Sequence, residues 1–414
     1  MLPGTPAPLQ GSRREGEKGA EEKGREEERG KMDFDLTEEL AAVRELAREF
    51  AEKEIAPTAA KDDKERNFRP DLVKKMGELG FYGSVIPEEY GGSGLGFLAM
   101  VLITEEIARV HSAMRVAINM QMGPALTLLQ FGTEEQKKKH IPGLVSGDTI
   151  GCFAITEPDA GSDVSGMRTT ATKEGDGYLI NGNKIFITNA PVTTGGLLYA
   201  YTDRAQKHRG MTAFFADFTN PGVARKALDT MGALCSPLGE LTFENFRVPA
   251  ANRLGKEGDG FKVCMWQLNQ TRLNCAAGAL GVARAAKEAA VNYCNQRVQF
   301  GQKIGEFQMN QDMIAQMIVH EEAARLLVYR AAWLADQKKP NNLETSVGKY
   351  AASEAAAYAA DAAMKILGAY GYSTEFPVER YYRDAKSYQI VEGSTNVQKM
   401  IIAQDALGYR KANR

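Results

Sequence analysis

Histidine and tryptophan are scarce in this chain, with four and two residues among 414. The histidines, His111, His140, His208 and His320, are scattered without metal-ligand spacing. That argues against a zinc centre, and no metal is expected; it argues equally against a Ser-His-Asp hydrolase. Cysteine is sparse too. Cys152, Cys235, Cys264, Cys275 and Cys294 are odd in number and contain no Cys-x-x-Cys pair. They suit a reducing compartment rather than a disulfide framework, so the expected location is cytoplasmic. Neither sign of charge dominates: the net charge is −2, which gives nucleic acid no broad basic surface. No apolar run reaches the ~20 residues of a membrane-spanning helix. What is present is ordinary for a soluble globular protein, 43% hydrophobic and 25% charged.

The chain divides by composition and period. Residues 1–31 are rich in Glu, Lys, Arg and Gly, nearly lack large apolar side chains, and are expected to be a disordered charged tail. They are too acidic for a mitochondrial transit peptide and lack the apolar core of a secretion signal. Residues 32–147 read as an N-terminal helical domain. Leu40, Val43, Leu46, Ala47 and Phe50 form one stripe, Leu72, Met76, Leu79 and Phe81 a second, and Met100–Val110 and Pro124–Phe131 two further helices. Residues 148–256 read as a β domain, with turn dipeptides at Asp176-Gly177 and Asn181-Gly182 and strands near 185–188, 197–202, 211–216 and 241–246. Residues 257–414 are alanine-rich and helical, beginning with one long helix over 261–297, and predict a four-helix bundle. The fold class is mainly α with a β domain in the middle.

Four segments carry chemistry. Residues 154–166, AITEPDAGSDVSG, follow an apolar run and then offer small, hydroxylated and acidic residues, a loop able to hold a flat polar-edged ring or a phosphate. A surface turn would use the same residues. Arg297-Val298-Gln299-Phe300-Gly301, with Phe307-Gln308, suits pyrophosphate and an adenine edge, or else a helix end capped by Gly301. Gly368-Ala369-Tyr370-Gly371-Tyr372 allows close approach of a ligand or another backbone, or links two helices. In Tyr388-Gln389-Ile390-Val391-Glu392-Gly393-Ser394-Thr395, a lone carboxylate follows apolar residues. Apolar surroundings raise its pKa and make it a better base, although a glutamate before a helix also simply suits the helix dipole.

Together, the segments 154–166 and 368–393 make residues 33–414 resemble the acyl-CoA dehydrogenases. The resemblance implies an N-terminal helical domain, a middle β-barrel or sandwich, a C-terminal four-helix bundle, and FAD. Phe153, Ile155, Thr156, Gly161 and Ser162 would line the flavin, and Phe186 and Thr188 would flank its ring system. Members usually have tryptophan at the Phe186 position, so the stacking surface here is smaller. Arg297, Phe300 and Gln308 would reach FAD bound mainly by a neighbouring subunit, which requires an oligomer; members are commonly homotetramers. Lys365 and Gly368 would sit at the same cofactor turn, where Lys365 replaces a customary glutamine and Ala369 a glycine. Gly393, Ser394 and Thr395 would lie near the adenosine-diphosphate half.

The resemblance further implies an acyl-CoA substrate, with Glu392 removing the α-proton, the β-hydrogen leaving as hydride, and electrons passing to electron-transferring flavoprotein. Some members place the base on the bundle helix just before an arginine. Here that pair is Thr271-Arg272, and threonine cannot serve. Arg272, Asn269, Ser162 and Gly393 are candidates for substrate contacts. Arg115 matches the arginine that glutaryl-CoA dehydrogenases hold at the far end of the acyl pocket, where it would pair a distal carboxylate; a helix cap or an ion pair is the plainer role. Longer segments, 310–317 and 367–375, resemble glutaryl-CoA dehydrogenases of anaerobic bacteria. Decarboxylating relatives carry a tyrosine before the base and a glutamate at position 108; this chain has Val391 and Ala108. Glutaconyl-CoA is therefore the expected product. The alternatives are crotonyl-CoA by decarboxylation, a cyclic or branched acyl-CoA such as cyclohexanecarboxyl-CoA, an acyl-CoA oxidase, and, in another class, a non-catalytic CoA- or FAD-binding scaffold.

Overall fold

The computed structural model describes residues 35–412; the predicted 1–31 tail lies outside the described residues. Helices α1 (Glu38–Phe50), α2 (Ala59–Glu65), α3 (Pro70–Glu78), α4 (Phe97–Val110), α5 (Ser112–Phe131) and α6 (Glu134–Val145) come first. Every residue from Ala99 to Ala108 of α4 is buried, as is most of α5. That burial explains a difference from the sequence expectation. Helix α5 begins at Ser112, not near Pro124, because a helix covered on all sides shows no one-sided stripe.

The middle strands are β1 (Gly151–Ala154), β2 (Thr170–Glu174), β3 (Gly177–Thr188), β4 (Gly195–Tyr201), β5 (Met211–Asp217), β6 (Val223–Ala227), β7 (Leu238–Pro249) and β8 (Arg253–Leu254). They form one sheet in the order β6-β7-β3-β2-β4-β5-β8, with β1 parallel to β4. Its core includes Phe218, Phe243 and Phe246, with ring centroids 5.4–6.1 Å apart. Asp176-Gly177 lies at the β2–β3 turn, as read. Asn181-Gly182 does not turn: it lies inside β3 at a register shift against β7. Gly182 has φ +149°, and a Cβ there would come within 2.7 Å of the Thr169 Cα, so glycine is needed for a bulge.

Helices α7 (Gly260–Gln296), α8 (Gln308–Asp336), α9 (Asn342–Leu367), α10 (Val378–Tyr388) and α11 (Thr395–Ala406) complete the chain. Between α7 and α8 stands a short hairpin, β9 (Val298–Gln299) with β10 (Gln302–Lys303). Gly301 is therefore not a helix C-cap. Phe300 and Gly301, both at positive φ (53° and 79°), form the hairpin's two-residue turn. Gly281 brings α4 against α7: a Cβ there would lie 2.7 Å from the Ala108 Cβ. All five cysteines are free and buried. Among the described residues no helix is long and apolar enough to cross a membrane.

Candidate active site

Strand β1 ends at Ala154, and the loop behind it is held by a buried ion pair. The Lys184 ammonium, fully buried, donates to Glu157 Oε1 at 2.8 Å and to the Ile155 carbonyl at 3.0 Å. Glu157 also accepts from the Arg168 and Thr169 amides. Burial opposes its ionisation, yet Lys184 and these donors hold the carboxyl below its usual range. The sequence reading missed this pair because a Glu and a Lys on separate elements carry no local signature. Breaking a buried pair from one side is costly. Lys184→Met is expected to destabilise the fold by about 3 kcal/mol, measured by denaturant unfolding.

The loop flanks a bulge in β3. The Thr156 carbonyl accepts from Ile185 N–H at 2.9 Å, so the two segments border one surface. There Phe186, at φ +56°, is 61% exposed, with the partly open side chains of Thr156 and Thr188 on the same two segments. Gly161 and Ser162 are exposed, and Ile155 is buried. An open aromatic face beside two hydroxyls fits a flavin. Phe153 connects this surface to the helices. A Cβ on Gly123 of α5 would lie 3.5 Å from the Phe153 ring and 2.9 Å from Thr271 Cγ2, so β1, α5 and α7 meet there.

Glu392 occupies the turn between α10 and α11. Thr271 donates to its Oε2 at 2.8 Å and Asn119 to its Oε1 at 2.9 Å. Its backbone is left-handed (φ +57°), followed by Gly393 (φ +82°). A non-glycine residue holds that conformation only where its surroundings enforce it. Two cations do so. Arg272 Nε donates to the Glu392 carbonyl at 3.1 Å, and the buried Lys349 ammonium to the Gly393 carbonyl at 2.9 Å, a carbonyl that also accepts from Gln398. Burial lowers the pKa of both Arg272 and Lys349. The Glu392 N–H makes no backbone hydrogen bond among the described residues. Ser394 caps α11, accepting from Val397 N–H, and Thr395 is buried behind it.

Burial raises the Glu392 pKa, against the hydrogen bonds from Thr271 and Asn119 and the charges of Arg272 and Arg115. Such a carboxylate holds a proton past the usual range, and its ionised form is the base. A base-dependent rate should therefore rise with pH, with a midpoint above the ordinary ~4.3 of glutamate. Thr271→Val removes a donor to the anion and is expected to move that midpoint higher in a pH profile of kcat/KM.

Arg115 and Asn119 lie four residues apart on one face of α5. Arg115 is 5% exposed; its Nε donates to Tyr388 Oη at 3.0 Å and Nη1 to Asn274 Oδ1 at 3.4 Å. It forms no ion pair with a carboxylate among the described residues, and it is not a cap: its helix starts at Ser112. Asn269 is buried, donating to Asn341 at 3.1 Å. Asn119, Lys349 and Tyr388 escaped the sequence reading. The one available signal was the four-residue step from Arg115 to Asn119.

A second group stands apart. Arg297 lies over the Tyr370 ring at 5.5 Å, Phe300 packs edge-on to Phe307, and Lys365 pairs with Asp361 at 2.6 Å. Phe300 is 95% exposed, Gln308 is exposed, and Gly368 has φ +61° with open space around it. No hydrogen bond or ring contact joins these residues to the Phe186 surface among the described residues. One other reactive pairing, Cys235 Sγ with His111 Nε2 at 3.3 Å, is inert: burial pushes the thiol up to about 12 and the imidazole down to about 4, leaving both neutral. Among the described residues no group of three or more His, Cys, Asp or Glu could hold a metal ion.

Three domain profiles of the acyl-CoA dehydrogenases match this chain: N-terminal over 37–148, middle over 152–246 and C-terminal over 258–407. It is 53% identical over 389 residues to the glutaryl-CoA dehydrogenase of Desulfococcus multivorans, covering 92% of this chain and 100% of that protein. A solved glutaryl-CoA dehydrogenase in complex with glutaryl-CoA superposes with a TM-score of 0.91 at 52% identity, covering 92% and 98% of the two chains. A chain from a structure reported for the electron-transferring flavoprotein of Acidaminococcus fermentans superposes with a TM-score of 0.90 at 42% identity, covering 91% and 100%.

Proposed function

From the premise that this chain belongs to the acyl-CoA dehydrogenase family, oxidoreductases acting on CH–CH bonds, we propose that it oxidises glutaryl-CoA to glutaconyl-CoA without decarboxylation and passes the electrons to an electron-transferring flavoprotein. The observation that carries the diacid is Arg115, a buried guanidinium without a carboxylate partner among the described residues. A plain alkyl chain would leave that charge unpaired, whereas a distal carboxylate pairs it. The spacing agrees. Arg115 and the Glu392 donor Asn119 are ~6 Å apart along the α5 axis. In glutaryl-CoA, three C–C bonds carry the chain ~4 Å from the α-carbon to the distal carboxyl carbon, and a hydrogen bond completes the span.

Glu392 takes the α-proton. Its N–H, which makes no backbone hydrogen bond among the described residues, would donate to the thioester carbonyl as negative charge develops there, a contribution of ~3 kcal/mol for a well-aimed donor. Thr271 and Asn119 orient the carboxylate, and Arg272 and Lys349 hold its turn. FAD, when bound against Phe186 and the 154–162 loop, supplies the two-electron acceptor for the β-hydride. Phe153, Ile155, Thr156, Gly161, Ser162 and Thr188 line that side. Gly393, Ser394 and Thr395 approach the adenosine-diphosphate half, and Ser162, Asn269, Arg272 and Gly393 serve the CoA ester. Arg297, Phe300, Gln308, Lys365 and Gly368 reach the cofactor of a neighbouring subunit. The separation of that group from Phe186, and the exposure of Phe300 (95%), Tyr372 (87%) and Met309 (82%), support a homotetramer, checked by sedimentation.

Val391 and Ala108 support retention of the distal carboxylate. Neither offers a hydroxyl or an acid, and Ala108 is buried where α4 meets Gly281 of α7. The test is anaerobic flavin bleaching across a panel of acyl-CoAs, followed by weighing the product formed with an artificial acceptor. Glutaryl-CoA should bleach fastest and yield glutaconyl-CoA. Crotonyl-CoA with released carbon dioxide overturns the non-decarboxylating reading; preference for a mono-acid ester overturns the diacid.

A further inference from the structure

Tyr388 closes α10 four residues before Glu392, is fully buried, and its carbonyl accepts from Ser353. Its hydroxyl lies 3.0 Å from Arg115 Nε and 2.8 Å from Ser112 Oγ. A guanidinium only donates, so the phenol oxygen is the acceptor there, and the Ser112 hydroxyl is the phenol's other hydrogen-bond partner. The same ring backs the guanidinium, whose central carbon lies 4.8 Å from the ring centroid. On the other side, Asn274 Oδ1 accepts from Nη1. The Asn274 amide donates to Thr104 at 2.7 Å, which fixes which way its oxygen points. The helix beneath is bare by necessity: a Cβ on Gly278 would lie 2.7 Å from both Arg115 Nε and Tyr388 Oη.

We propose that Tyr388 is a positioning residue for substrate specificity: by occupying Nε of Arg115 and packing its ring against the guanidinium, it aims the remaining guanidinium edge at the distal carboxylate of a diacid thioester. This rests on the diacid reading above. A phenol suits the task in a way a carboxylate does not. Burial raises the Tyr388 pKa, so the ring stays neutral and orients the cation without cancelling its charge. The full charge is left for the substrate.

The test compares glutaryl-CoA with butyryl-CoA, which lacks the distal carboxylate, in steady-state assays of the holoenzyme with an artificial acceptor. Tyr388→Phe should raise KM for glutaryl-CoA and lower the glutaryl-to-butyryl ratio of kcat/KM about tenfold, the loss of one charged hydrogen bond. Its kcat for butyryl-CoA, and the pH midpoint assigned to Glu392, should stay unchanged. Ser112→Ala removes the phenol's second hydrogen-bond partner while keeping Arg115 and the ring, and should shift the same ratio about threefold. An unchanged ratio in Ser112→Ala and Tyr388→Phe, or an equal fall on both esters, overturns the proposal. The wild-type arm stands separately: if the wild type ignores glutaryl-CoA but oxidises butyryl-CoA, the diacid reading has failed, whatever the variants do.

Discussion

Replacing Glu392 with glutamine is expected to cut turnover by about 10²–10⁴-fold while the purified protein keeps its flavin and its yellow colour. Positioned general bases contribute about 10²–10⁴, and the α-proton of a saturated thioester is too weakly acidic to leave without one. The surroundings hold no substitute. The two groups bonded to the carboxylate, the Thr271 hydroxyl and the Asn119 amide, are neutral donors, and Arg272 and Lys349 are cations. Glutamine keeps the size and much of the hydrogen bonding, so the left-handed turn should persist. A single-turnover bleaching assay reads the effect directly. Bleaching at the wild-type rate in Glu392→Gln removes this carboxylate from the mechanism.

The second large effect is expected at Arg115. Alanine there should lower kcat/KM for glutaryl-CoA by about 10²-fold, near 3 kcal/mol, the scale of a two-point charged hydrogen bond. Butyryl-CoA should be unaffected or improved, because the substitution removes a buried cation that a mono-acid ester leaves unpaired. Steady-state assays on the two esters separate this from simple damage to the fold. Equal losses on both would show that Arg115 only supports packing. Glutaryl-CoA turnover insensitive to the change would remove the guanidinium from recognition altogether.

Much of the architecture was legible in local sequence patterns. The alanine-rich helix, read over 261–297 and spanning Gly260–Gln296, and the turn at Asp176-Gly177 are local properties, and both are present. The first half of α5, mostly buried and without a one-sided apolar stripe, went unseen. Asn181-Gly182 misled because the dipeptide favours any positive-φ site, and a bulge is one as readily as a turn. The same ambiguity turned Gly301 from a cap into a hairpin turn.

For the site, the residues themselves marked the 154–166 loop and left Glu392 with two readings; the family resemblance favoured Glu392 as the base and singled out Arg115. Tertiary structure alone decided what they touch. Asn119 and Thr271, on two different helices, converge on one carboxylate; Lys184 reaches Glu157 across the sheet; Tyr388 meets Arg115 only because Gly278 leaves room. The sequence determines which groups exist and the period of each element. Contacts between residues on separate elements depend on how those elements cross and how closely their backbones approach, and local periodicity carries no record of either.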